Sequence, residues 1–179
     1  MPNYRRLRIK GGTYFFTVNL QDRRSDLLVR EIDTLRRAVS QVRAEYPFDI
    51  DAWVVLPDHM HCVWTLPPGD DAYPLRWQKI KILFSASMAP AAWRPQARVA
   101  RDEHGLWQRR YWEHTVRDAR DYTAHIDYTH FNPVKHGLAA TPGDWPYSSF
   151  LRAVARGKYP RDWAGSGSEP AECGERRDS

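Results

Sequence analysis

His59 and His61 stand two residues apart inside the apolar run from Leu56 to Trp64. In an extended strand successive side chains alternate faces, so these imidazoles share one face while Met60 and Cys62 turn towards a core. Two aligned imidazoles can hold one divalent metal. The same pattern also suits the polar face of an ordinary strand. A second reactive group comes later, where a helical reading of 118–131 puts Asp121, His125, Tyr128 and Asn132 on one face. Tyr128 offers a phenol oxygen and Asn132, one turn on, an amide carbonyl. A phenol has an ordinary pKa of about 10 and is a weak nucleophile at neutral pH. Attack on a phosphodiester therefore needs charge drawn off the phosphate, which a metal held by His59, His61 and Asn132 would do. Mixed nitrogen and oxygen donors with open positions suit Mg2+ or Mn2+ acting on phosphate. Taken singly, Tyr128 reads as a surface tyrosine.

The elements that must position these groups are legible in outline. Gly11-Gly12 precedes Thr13–Leu20, an aromatic and β-branched run that reads as a central strand. Ile32, Leu35, Val39, Val42 and Tyr46 recur at helical spacing and predict a helix over 29–46, stopped by Pro47. Residues 48–56 alternate as a strand, Pro57-Asp58 turns the chain, and 59–66 returns antiparallel, so the histidines open a strand. A second helix is expected over 75–88, then an irregular connection over 89–104. The segment 105–114 reads as strand or extended chain. Asp118 is a candidate N-cap for the third helix, and Asn132-Pro133 is expected to end it. A short helix follows over 149–155. Residues 1–165 read as one domain and 166–179 as a flexible polar tail.

Charge narrows the class of partner. Lys and Arg outnumber Asp and Glu by 27 to 22, a net charge of +5 over 179 residues. That balance favours nucleic acid over an anionic membrane surface. Candidate phosphate contacts are the arm Arg5, Arg6, Arg8 and Lys10, then Arg76 and Lys79 on the second helix, and Lys135. Arg109, Arg110, Trp112 and His114 form an aromatic and basic stretch suited to stacking on bases. Each group has a plain alternative as a solvated face, or as core aromatics with arginines reaching past them to solvent. His125, His130 and His136 read as helix-surface or DNA-facing side chains. Two cysteines argue against a disulfide scaffold. No signal core and no run of about eighteen apolar residues occurs, so a cytoplasmic, nucleoid-associated protein is expected.

Three stretches together carry a resemblance: Val54-Val55-Leu56-Pro57-Asp58-His59-Met60-His61, Trp107 to His114, and Asp127-Tyr128 with Asn132-Pro133-Val134-Lys135-His136-Gly137. The sequence resembles the REP-associated tyrosine transposases, of the single-tyrosine HUH superfamily (His, hydrophobic, His). The resemblance implies a ferredoxin-like α+β domain, an antiparallel sheet with helices packed on it. In such a fold the histidine pair would lie on a central strand and the tyrosine on a helix. It implies cleavage and rejoining of single-stranded DNA at REP hairpins, with Tyr128 forming a 5′-phosphotyrosine link and His59, His61 and Asn132 holding the metal. Family members often carry glutamine or histidine where Asn132 stands. A monomer is implied, with a dimer as the alternative. Competing readings are a catalytically silent hairpin binder, a replication or relaxase-type HUH nuclease, and a metal-dependent hydrolase of a small substrate.

Overall fold

The aromatic run after the glycine pair forms β1 (Thr13–Asn19) in the computed structural model, which describes residues 7–91, 94–100, 104–167 and 170. Gly11 takes a φ of 68°, a conformation that favours glycine, and its N–H donates to Asp70 O at 2.8 Å. β2 (Asp49–Val55) and β3 (His59–Thr65) form a hairpin across Pro57-Asp58, closed by Leu56 N–H to His59 O at 2.8 Å. β4 (Trp112–Thr115) is the short strand expected within the aromatic, basic stretch. The sheet order is β2-β3-β1-β4, with every neighbouring pair antiparallel. The histidine strand is therefore central. With one helical crossover before the hairpin and another after it, this is the ferredoxin-like α+β arrangement.

Strand alternation gives the sheet two working faces. Tyr14, Phe16, Val18, Met60, Cys62 and Trp64 point to one. There they meet Leu35, Val39 and Val42 of α2 (Ile32–Glu45) and Trp77, Ile80 and Phe84 of α3 (Tyr73–Ala86). Trp64 and Trp77 stack with centroids 4.2 Å apart, and Phe16 touches both. Burying these rings is the main drive for closing the crossover helices onto the sheet. The other face carries Phe15, Thr17, His59, His61 and Val63, and α5 (Ala119–Lys135) lies across it, with Ile126 and Tyr128 packed on Phe15, Ala52 and Val63.

Two helix boundaries differ from expectation. The helix expected over 29–46 is broken at Glu31 into α1 (Leu27–Arg30) and α2. Leu28 N–H donates to Pro57 O at 3.1 Å, which ties α1 to the β2–β3 turn. α5 does not end at Asn132-Pro133 but continues to Lys135 with Pro133 buried inside it. A proline in a helix forfeits its own N–H bond. Here it lies within the last turn, and the following N–H groups close that turn, with His136 N–H on Asn132 O at 3.0 Å and Leu138 N–H on Pro133 O at 2.8 Å. Among the described residues, the connection after α3 holds one short helix, α4 (Gln96–Val99), and α6 (Phe150–Ala155) follows as expected. The reading of 171–179 as a tail lies outside the described residues. No helix of the described residues is long and apolar enough to cross a membrane.

Candidate active site and metal-binding groups

Register sets the site. His61 pairs with Thr17 on β1, Thr17 pairs with Trp112 on β4, and Val54 faces His61 from β2. One row of side chains, Val54–His61–Thr17–Trp112, thus crosses the face beneath α5. Thr17 Oγ1 lies 2.9 Å from His61 Nδ1. His59 Nδ1 lies 2.7 Å from Asp58 Oδ1, and Arg23 Nε lies 2.9 Å from the other oxygen of that carboxylate. Burial pushes the Asp58 carboxyl up, but the His59 hydrogen bond and the charges of His59 and Arg23 outweigh it and hold it below the usual range. An ionised carboxylate only accepts, so His59 Nδ1 carries a proton, and once the ring gives up its other proton the lone pair is on Nε2. At His61 the corresponding tautomer, with Nδ1 donating to Thr17, would likewise place the lone pair on Nε2. Both rings are buried, with centroids 5.1 Å apart.

α5 brings the phenol to them. Asp118 caps its N-terminus, accepting from Asp121 N–H at 2.9 Å. Three turns on, the Tyr128 ring centroid is 5.4 Å from that of His61 and 6.0 Å from that of Phe15. Lys135 Nζ donates to Tyr128 Oη at 3.1 Å and lies 4.7 Å from the ring centroid. Asn132 is fully buried. His136, just past the helix, stands with its ring 5.1 Å from that of His59. The four groups named from the sequence, His59, His61, Tyr128 and Asn132, are thus gathered between one strand pair and one helix of a single chain.

A second cluster sits beside them. His114 Nε2 is 2.8 Å from Asp121 Oδ2, and His125 Nδ1 is 3.1 Å from Asp121 Oδ1. This buried His–Asp–His group could hold a metal. Its two imidazoles stack at 4.5 Å with planes 20° apart; His114 hydrogen-bonds the Asp121 carboxylate, whereas His125 Nδ1 hydrogen-bonds the Asp121 main-chain O at 2.9 Å with the carboxylate beside it. Arg117 N–H also donates to Asp121. Burial raises the Asp121 carboxyl, while the His114 hydrogen bond, the Arg117 N–H and the two histidine charges bring it below its usual range. The clamp fastens edge strand β4 to the first turns of α5.

Several expectations need correction. Arg76 does not face solvent: it is 1% exposed, its guanidinium bonded to Asp70 at 2.6 and 3.1 Å and to the carbonyls of Tyr46 and Pro47. A buried charge needs such partners, and these four hydrogen bonds hold it. His114 is likewise buried in the clamp rather than turned to solvent. His125 and His130 are also buried, not helix-surface groups. Lys79 pairs with Glu45 at 3.1 Å over the Tyr46 ring. Arg8, Lys10, Arg109, Arg110 and Lys135 are exposed, and Trp112 is 37% exposed. Arg5 and Arg6 lie outside the described residues. The pairing of Thr17 with His61 needs the strand register and left no signal in sequence. Asp58 was open to suspicion, since a carboxylate directly precedes the first histidine.

No protein-family model matches the chain. It is 50% identical over 165 residues to the REP-associated tyrosine transposase of Escherichia coli (strain K12), covering 92% of each chain. A relative from Haemophilus influenzae is 45% identical over 168 residues, covering 93% of this chain and 95% of the other. A solved REP-associated tyrosine transposase bound to a REP hairpin superposes with a TM-score of 0.86 at 49% identity, with 100% of both chains covered. Likeness of this depth and extent, over a fold that already gathers two histidines and a tyrosine, means that the chain belongs to the REP-associated tyrosine transposases.

Proposed function

We propose that this protein cleaves and rejoins single-stranded DNA at REP-like hairpins, with Tyr128 as nucleophile. The observation that carries the reading is the 5.4 Å approach of the Tyr128 and His61 rings within one chain. That approach also favours a site complete in a monomer. The hairpin substrate is taken from the relative whose solved structure is bound to one.

Tyr128 Oη attacks the phosphorus and gives up its proton. The bond from phosphorus to the 3′ oxygen breaks, and that oxygen takes up a proton to leave as a 3′-OH. One ester replaces another, so a different 3′-OH can reverse the step without external energy. Lys135 Nζ stands where it donates to the phenol oxygen and favours the phenolate form. The donor set fits a divalent ion: second groups engage Nδ1 of both histidines and orient the rings, so that Nε2 would be the ligating atom, with the Asn132 carbonyl one turn below Tyr128. Mg2+ or Mn2+ held there would draw charge from the phosphate oxygens and the leaving 3′ oxygen. Trp112, in the same side-chain row as His61, offers a partly exposed ring for stacking a flanking base.

The test is denaturing electrophoresis of the protein with a labelled hairpin oligonucleotide and Mn2+, run beside Tyr128→Phe. Label moving with the wild-type protein, and not with the variant, is the expected result. Cleavage that survives in Tyr128→Phe would displace Tyr128 as nucleophile. A native-gel shift without adduct or cleavage would leave a silent hairpin binder.

A further inference from the structure

On the sheet face opposite the histidines, a groove of about 350 Å³ runs between α2 and the outer edge of β2. Val39, Ile50 and Val55 give it an apolar floor. Trp53 and Tyr147 stand as aromatic walls, and Arg36, Arg43 and Arg152 ring it with charge. No carboxylate is among the lining residues.

The walls are fixed by the backbone. Ser149 N–H donates to Trp53 O at 2.8 Å, and Trp53 N–H donates to Ser149 Oγ at 2.8 Å. Val55 N–H donates to Tyr147 O at 2.8 Å. The segment carrying Tyr147 is thus laced along the open edge of β2. Two of the cations are also held: Arg43 Nε donates to Phe48 O at 3.0 Å, and an Arg152 Nη donates to Ile50 O at 2.9 Å. Their mutual repulsion is an unfavourable interaction built into the groove. Burial, then the charges of Arg156 and Arg43, hold Arg152 below the usual arginine range. An anion between the guanidiniums relieves that repulsion. Flat aromatic walls, an apolar floor and a cationic rim match one ligand chemistry, an aromatic base joined to a phosphate, and the volume is in the range of pockets that take small molecules.

We propose that this groove takes one unpaired nucleotide of single-stranded DNA, its base against Trp53 and Tyr147 and its phosphate among Arg36, Arg43 and Arg152. DNA as the polymer rests on the function proposed above; the nucleotide chemistry rests on the groove. A strand held there and at Tyr128 would pass around the β2 edge of the sheet.

The experiment compares two neighbouring charge reversals. Arg36 lines the groove, whereas Arg37 lies outside it, and both are exposed on α2. Affinity for a fluorescent oligothymidylate, read by anisotropy, is expected to fall about fivefold or more in Arg36→Glu and less than about twofold in Arg37→Glu. With 4-thiothymidine in the oligonucleotide, photocrosslinks to the unaltered protein are expected on Trp53 or Tyr147, mapped by mass spectrometry. Equal losses in the two variants, or crosslinks confined to other residues, would overturn the groove and leave the DNA reading standing. Absence of any binding by the unaltered protein would overturn both.

Discussion

At the scale of single residues, the site is organised by side chains that do not themselves reach a substrate. Thr17 and Asp58 each engage the Nδ1 of one histidine and so aim its Nε2. Outer partners of this kind contribute about 10–100-fold to metal affinity. Asp58→Asn and Thr17→Val are therefore expected to weaken Mn2+ binding by about that factor, measured by titration calorimetry without DNA. His59→Ala should abolish the binding; unchanged Mn2+ affinity in all three would remove the histidine pair from the metal site. The His–Asp–His clamp shows the same economy of roles, since one aspartate engages two rings, His114 through its carboxylate and His125 through its main-chain O, and joins a strand to a helix. These partners explain why residue types were easier to read than their duties. The two histidines and Tyr128 announce reactivity by type and spacing. Thr17 is one hydroxyl among many until register sets it opposite His61. Arg76 looked like a surface cation because it shares a helix with Lys79 and Lys81, and nothing local foretold that Asp70 would draw it inside.

At the scale of elements, α5 is the part on which the proposed chemistry depends, because it carries Tyr128, Asn132 and Lys135. Its first turn is fixed by the Asp118 cap. Removing such a cap costs about 1 kcal/mol. Asp118→Ala is expected to lower the thermal midpoint by about 2–4 °C, read by circular dichroism. An unchanged midpoint would mean that the clamp at Asp121 already holds the helix end by itself. The strands and the two crossover helices were legible because apolar periodicity and Pro47 marked them. The end of α5 was not. Pro133 signals a stop by local rules, yet burial of that last turn outweighs the one hydrogen bond the proline forgoes.

At the scale of the whole molecule, packing across α5 makes stability depend on pH. His130 is buried between Ser149, Phe150 and Tyr159, its Nε2 2.8 Å from Ser149 Oγ. Burial, with the charges of Arg152 and Lys158, lowers it from 6.5 to about 4. The unfolded chain then binds the proton that the folded chain refuses. Stability is complete above about pH 6.5 and falls as the pH drops towards about 4, by about 1 kcal/mol per unit from this group. His130→Gln, which keeps a hydrogen-bonding partner for Ser149, is expected to flatten urea-unfolding free energies over that window; an identical slope in the variant would clear His130 of the effect. The order of elements along the chain has a consequence for synthesis on the ribosome. The histidine strand emerges early, but α5 comes only after all four strands, and its tyrosine has no docking face until β1 and β3 have paired. Domains fold as units as they are made. A nascent chain long enough to display the histidines thus still lacks its tyrosine, and under the proposed function the nucleophile is among the last groups to reach its station.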